Sequence, residues 1–209
     1  MNPPTIRPAN AADFAAIAAI TNHYIRTTAV HFGHAEVTAT ELAQLWRDHQ
    51  DVYPWLVAID GDEVLGYAKA GQFRSRSAYR WITETGIYLA PQHCGRGLGL
   101  PLYERLLQLL KVQGFHAAIG VIALPNPSSV RLHERLGFRN QGVLPQAGWK
   151  FERWHDVGLW QALLQSPQHA AAAIATPAQA AANHQPPTIS HQPAADAAAP
   201  ATASRPAIH

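Results

Sequence analysis

The sequence predicts a mixed α/β domain whose central sheet is mostly antiparallel and flanked by helices. Three observations predict it. Apolar runs on either side of Asp60-Gly61-Asp62 form a hairpin pattern. A glycine-rich loop follows a strand and opens directly into a helix. A buried strand, a capped helix and two last strands then close the order βααβββαβαββ.

Each element has its own local signal. "TIRPA", from Thr5, is a short strand stopped by Pro8, and Asn10 caps the next helix with Asp13 in its first turn. Phe14, Ile17, Thr21, Tyr24 and Ile25 repeat at helical spacing, which makes them a core-facing stripe. A second helix spans Thr40 to Asp48, with Leu42, Leu45 and Trp46 on one side. The hairpin strands are Trp55–Ile59 and Val64–Ala70, and Ala78 to Ala90 reads as one long strand. Pro91 has no N–H for a ladder and ends it. A helix from Leu98 to Gln113 tolerates Pro101 in its first turn and stops at Gly114. "AAIGVIAL" is a buried strand, "PSSVRLHERLG" a helix with Asn126 or Ser128 as cap, and "FRNQGVLPQAGWKFERWHDVGLWQ" two strands with a loop.

Composition bounds the function. The 209 residues suffice for one packed domain with an appendage, and 47% are hydrophobic. A formal charge of +2 argues against a strongly basic nucleic-acid binder. One cysteine rules out an internal disulfide framework and any cysteine-based zinc cluster, which fits a reducing, cytoplasmic setting. "MNPPTIRPAN" lacks the pattern of a signal peptide, and no run of apolar residues is long enough for a membrane span. From Ser166 the chain turns to Ala, Pro, Gln, His and Thr, a composition that cannot offset its ordering entropy, so 166–209 reads as a disordered tail and 1–165 as the functional domain.

The stretch "QHCGRGLGL", Gln92 to Leu100, carries the chemistry of a holding loop. Free backbone N–H groups and the positive end of a helix dipole make it an anion site. No Lys-Ser or Lys-Thr follows, so it is not a Walker A loop, and the third Rossmann glycine is replaced by Leu100. What remains is a pyrophosphate cradle of the form Q-x-x-G-x-G-x-G, or a glycine turn with no ligand. "HFGH" (His31, His34) has no third ligand, and "HERLG" is not H-E-x-x-H, so no metal is expected.

"IYLAPQHCGRGLGLPLYERLL" followed by "VIALPNPSSVRLHERLGF" resembles the acetyl-CoA-binding core of the GNAT superfamily of N-acetyltransferases. "DVYPWLVA", "SAYRWITETGIYL", "ALPNPSSVRLHE" and "GWKFERWHDVGLWQ" are similar to its phosphinothricin acetyltransferase-like branch, over nearly all of residues 4–165. The resemblance implies a GNAT fold with splayed central strands that admit the pantetheine arm, and backbone pairing with it at Ile87 and Leu89, around Tyr88. It implies a pyrophosphate site at Gln92 and the amides of Cys94, Gly95, Arg96, Gly97, Leu98 and Gly99, with Arg96 adding a charge-assisted contact. Asn126 and Ser129 match a second cofactor segment, with helix capping as the alternative. His93 and the Cys94 thiol read as bystanders.

For catalysis, a carboxylate must take a proton from the substrate ammonium, and Glu84 matches the glutamate of the family's E-x-[ST]-[VI]-Y segment. A solvent-facing edge glutamate is the alternative. Gly86 departs from the pattern, which has Ser or Thr there. His133 stands where the branch has histidine, either to serve the departing sulfur or to pack on the sheet. Arg74, Arg76, Tyr79 and Arg80 precede Glu84, where arginine can hold a carboxylate or phosphinate, with a plain surface arginine as the alternative. The resemblance implies that Lys150, Trp154 and His155 complete the substrate site or a homodimer contact. The expected reaction is direct acetyl transfer from acetyl-CoA to a small amino acid such as phosphinothricin, methionine sulfoximine or methionine sulfone. Another amine, a peptide N-terminus, or a non-catalytic acyl-CoA sensor are the alternatives.

Overall fold

The computed structural model describes residues 4–166 and 168–183. Its elements, in chain order, are β1 (Thr5–Pro8), α1 (Phe14–Thr27), α2 (Ala39–His49), β2 (Trp55–Asp60), β3 (Glu63–Gln72), β4 (Ile82–Leu89), α3 (Gly99–Gln113), β5 (Ala117–Ala123), α4 (Pro127–Arg135), β6 (Arg139–Lys150), β7 (Arg153–Leu163) and α5 (Pro177–Asn183). The first eleven match the order read from the sequence. Seven strands form one sheet in the order β1-β2-β3-β4-β5-β7-β6, antiparallel throughout except where β4 meets β5.

Alternation along the strands splits the apolar residues between two faces. On one face lie Leu56, Ala58, Ala68, Ala70 and Ala118, and Leu102, Leu106 and Leu110 of α3 pack over them. On the other lie Trp55, Val57 and Tyr67, covered by Phe14 and Ile17 of α1 and Leu42 of α2. Caps fix where the helices begin. Thr38 and Glu41 form a reciprocal capping box at α2, and Asn10 does the same with Asp13 in a short turn ahead of α1. Gly114 ends α3 in the left-handed region at φ 97°.

Two expectations change. The strand expected from Ala78 starts only at Ile82, because Ser77–Tyr79 form a 3-10 turn. The segment expected to be a disordered tail from Ser166 docks on the domain as far as Asn183. Trp81 Nε1 donates to the Ala172 carbonyl at 2.7 Å, Ala175 N donates to the Gln113 carbonyl at 2.8 Å, and Ala180 of α5 is fully buried against α3. Small alanine faces allow this close approach where bulky residues are missing. The remainder of the expected tail, 184–209, lies outside the described residues.

Candidate active site

The sheet forks at its centre. β4 and β5 pair in parallel only from Ile82↔Ala117 to Thr85↔Gly120. Beyond that rung, Gly86–Leu89 pair only with β3, and Val121–Ala123 only with β7. The Ala90 amide donates to Leu65 of β3 at 2.8 Å. Antiparallel alternation therefore turns the backbone groups of Ile87 and Leu89 the other way, into the gap. The Tyr24 hydroxyl already donates to the Leu89 carbonyl at 2.8 Å, which leaves that oxygen a second lone pair. A strand-like carrier with amides of its own fits such an edge.

The glycine loop flanks the mouth of the gap. After a turn at Pro91–His93, Gly95 and Gly97 take φ of 76° and 79°, a region that side chains disfavour. α3 starts at once, so its first amides and its positive dipole end lie beside the exposed Gln92, Cys94 and Arg96. Gly99 is buried. A Cβ there would stand 3.4 Å from Leu132, 3.7 Å from Leu89 and 3.8 Å from Ile87, so α3 approaches the fork closely. His93 Nε2 and Glu63 Oε1 lie 2.8 Å apart and tie the loop to the start of β3. On the opposite side of the gap, Asn126 caps α4 by accepting from the Ser129 amide at 3.1 Å. Both residues expected to serve a cofactor thus also serve the helix. These residues fit an anionic, strand-like cofactor: donors at one end and an open strand edge leading inward.

Glu84 stands at the inner end of the gap, on the rung Gly71↔Glu84↔Ile119, one before the strands part. Its side chain faces the side of α1 and α2 and lines a cavity of about 580 Å³ together with His31, Phe32, Trp55, Lys69 and Tyr88. The carboxylate reaches solvent through that cavity, yet the surrounding protein is close enough that burial raises its pKa above the usual glutamate range, with Lys69 opposing. Tyr88 is pushed up to about 12, first by burial and then by the Glu84 charge.

His133 occupies the same level of the fork on the other face. It is 3% exposed and covers Gly120, where an added Cβ would meet its ring at 2.5 Å. Nδ1 donates to the Ser129 carbonyl at 2.8 Å, so in the neutral ring Nε2 accepts from the Tyr103 hydroxyl at 3.0 Å. Tyr103 in turn lies 2.7 Å from the Thr85 hydroxyl. Burial holds the imidazole below its ordinary pKa. With both nitrogens engaged, this arrangement leaves His133 no proton free for a sulfur in the gap. Donation there would require a second proton, on Nε2, in place of the bond from Tyr103.

Of the expected substrate residues, Arg74 and Tyr79 meet each other, away from the cavity. Arg74 lies over the rings of Phe73 and Tyr79 at 5.2 and 5.6 Å, and Arg80 over Trp81 at 4.0 Å. Arg74, Arg76, Tyr79 and Arg80 follow β3 on its connection to β4, and none lines the cavity. Lys150 also takes a different place from the one expected. Its ammonium is buried and donates to the carbonyls of Ile25 (2.6 Å), Thr28 (2.9 Å) and His31 (2.6 Å), so it holds the cavity wall from behind. Sequence reasoning missed Lys69, whose signal is faint: one cation among alternating small residues in "YAKAG". Among the described residues no group of three or more His, Cys, Asp or Glu side chains forms a metal site, and no helix is long and apolar enough to cross a membrane.

A sheet opened to receive an extended acyl carrier, with a carboxylate at the fork, defines the class: an N-acetyltransferase. Residues 6–159 match the family model of the acetyltransferase (GNAT) domain, and the chain belongs to that family. It is 47% identical over 163 residues to a phosphinothricin N-acetyltransferase of Streptomyces viridochromogenes, covering 76% of this chain and 87% of that one. It is 38% identical over 169 residues to an L-methionine sulfoximine/L-methionine sulfone acetyltransferase of Salmonella typhimurium, covering 80% of this chain and 97% of the relative. A solved structure of an acetyltransferase from Salmonella typhimurium with its cofactor acetyl-CoA superposes with a TM-score of 0.79 at 36% identity, covering 82% of this chain and 99% of that one.

Proposed function

We propose that the protein transfers the acetyl group of acetyl-CoA to the amine of a small amino acid of the phosphinothricin, methionine sulfoximine or methionine sulfone kind. The observation that carries this reading is the position of Glu84 at the inner end of the gap, facing a cavity sized for a small molecule. Bound acetyl-CoA supplies a thioester. Ile87 and Leu89 hold its arm as a strand edge would, and the loop from Gln92 to Gly99 holds its pyrophosphate, with Asn126 and Ser129 across the gap. Glu84 takes the proton that the acceptor ammonium must lose before its nitrogen can attack. Its raised pKa matches that task better than an ordinary glutamate would. A new N–C bond replaces the S–C bond, the nitrogen sheds its second proton to solvent as the amide forms, and the sulfur leaves as a thiolate that gains a proton from solvent. The His133–Tyr103–Thr85 chain braces the fork on the far face.

A substrate panel tests the reading. Thiol release from acetyl-CoA is expected with phosphinothricin, methionine sulfoximine or methionine sulfone, and not with alanine- or serine-terminated peptides. Preference for the peptides would overturn it, and acetyl-CoA binding without turnover on any amine would make the protein a sensor.

The homodimer implied by the resemblance has a surface to use. Trp149 (50% exposed), Phe151 (52%) and Trp154 (56%) crowd the tip of the β6–β7 hairpin, a dense aromatic patch for a free surface. A second copy is the occupant we assign to it. Light scattering at micromolar concentration is expected to give a dimer for the wild type and a monomer for Trp154→Glu; a monomeric wild type would remove the assignment.

A further inference from the structure

His93, which the sequence reads as a bystander, ties the glycine loop to β3. Its Nε2 lies 2.8 Å from Glu63 Oε1, and because a carboxylate only accepts, Nε2 is the donor. Glu63 is the first residue of β3, opposite Asp60 across the tight turn at Gly61, so the hairpin fixes its backbone. His93 closes the short turn after β4. Its amide donates to the Ala90 carbonyl at 2.8 Å, and its side chain is 13% exposed. Beyond His93 the loop stands clear of the domain. Cys94 to Gly97 are all exposed, a Cβ at Gly95 or Gly97 would meet nothing within 4 Å, and both glycines take positive φ. The Cys94 thiol adds only long contacts, 3.6 Å to the Tyr24 hydroxyl and 3.8 Å to the Ala90 carbonyl. Packing resumes at the half-buried Leu98 and the buried Gly99.

Backbone amides grip a pyrophosphate best when they already converge before it arrives. Exposed glycines have many other conformations to give up on binding, and a tether at one end of the loop removes part of that loss. We propose that His93, held by Glu63, is the positioning residue of this loop: the pair sets the direction in which Cys94 to Gly99 leave the turn, and so orders their amides for the pyrophosphate of acetyl-CoA. This rests on the reading of the loop as the holder of acetyl-CoA and adds the group that organises it. The imidazole acts through the backbone and touches none of the reacting atoms. His93 holds the Glu63 carboxyl below the ordinary glutamate range, and Gln92 and Arg96 add to the effect, so one carboxylate faces three side chains of the loop. Charge alone predicts the opposite outcome. An exposed carboxylate beside an anion site repels the anion, so removing it would tighten binding if repulsion outweighed positioning. The two effects differ in sign.

The test measures kcat/KM for acetyl-CoA and for S-acetylpantetheine, which keeps the thioester and the arm but has no pyrophosphate. Methionine sulfone is the acceptor, and the readout is the ratio of the two values. A change in overall stability or in the chemistry at Glu84 acts on both donors alike and cancels. His93→Ala and Glu63→Ala are each expected to lower the ratio about 3- to 10-fold, chiefly through KM for acetyl-CoA. Glu63→Gln, whose amide oxygen still accepts from Nε2, is expected to keep most of it. The double alanine variant should lose no more than either single one, because the second substitution finds the bond already broken. A wild-type ratio in either alanine variant overturns the inference. So does a ratio that rises in Glu63→Ala, or losses that add in the double variant. If His93→Ala does not fold, the Glu63 variants decide, since that side chain is exposed. A wild type that uses both donors equally overturns the reading of the loop, and one with no turnover on any small amine overturns the proposed activity; the inference falls with either.

Discussion

Replacing Glu84 with glutamine is expected to lower kcat by about 10²–10⁴-fold while the affinity for acetyl-CoA stays close to that of the wild type. The size follows from removing the proton acceptor without changing the shape of the cavity, and it corresponds to roughly 3–5 kcal/mol of barrier. Cofactor affinity is spared because the grip lies elsewhere. Leu89, at the outer end of the gap, is five residues along β4 from Glu84, on the order of 17 Å of strand. Cys94 lies further out still, in the loop beyond Leu89, so its thiol is no rival nucleophile at the inner end of the fork.

The pH dependence gives the same prediction a second readout. Glu84 works only when deprotonated, so kcat/KM falls as pH drops through its pKa. Burial raises that pKa above the ordinary glutamate value and Lys69 holds it back, so the acid limb lies at higher pH than an ordinary glutamate would give. In Glu84→Gln that limb disappears. A glutamine variant with wild-type turnover and an unchanged profile would remove Glu84 from the role of base.

Much of this site is legible in the sequence because it rests on local rules. Pro91, the glycines at 95, 97 and 99 and the following helix announce a strand, a cradle and a dipole in one short run. Glu84 is visible as the lone acid of the strand expected from Ala78 to Ala90. The fork is implied by the family resemblance and by no local rule, since it depends on where β5 leaves β4, a choice made by β7 pairing along the other edge of β5. Lys69 was missed because a cation between alanines reads as a solvent-facing strand position until Trp55 and Glu84 are set beside it. Arg74, Arg76 and Arg80 stand on the connection between β3 and β4, around the 3-10 turn at Ser77–Tyr79, with Arg74 and Arg80 lying over neighbouring aromatic rings. The docked alanine segment was hidden for a related reason. Its stability comes from Gln113 and Trp81, far away in sequence, rather than from its own composition.

Lys150→Met should be the most destabilising of these substitutions, although the family resemblance gives Lys150 to the substrate site or a dimer contact. Phe151 and Glu152 take φ of 50° and 57°, forming the tight turn that fits a two-residue hairpin and carries Lys150 to the back of α1. There its ammonium meets the carbonyls of Ile25 and Thr28 at the C-terminal end of the helix, where unpaired carbonyls and the negative end of the dipole both favour a cation. The third bond, to His31, reaches the loop that walls the cavity. The same hairpin grips that loop again, since Phe32 packs on Gly148 so closely that a Cβ could not be added there. Methionine matches the length of lysine but donates nothing, so three carbonyls lose a partner at once. The expected cost is about 3 kcal/mol, read as a fall of roughly 6–12 °C in Tm. Because His31 and Phe32 line the acceptor cavity, KM for the amino acid should rise while kcat falls less, unlike the kcat loss of Glu84→Gln. An unchanged Tm would mean that the three carbonyls are satisfied without Lys150. A normal Tm with a raised acceptor KM would instead return Lys150 to direct contact with the substrate.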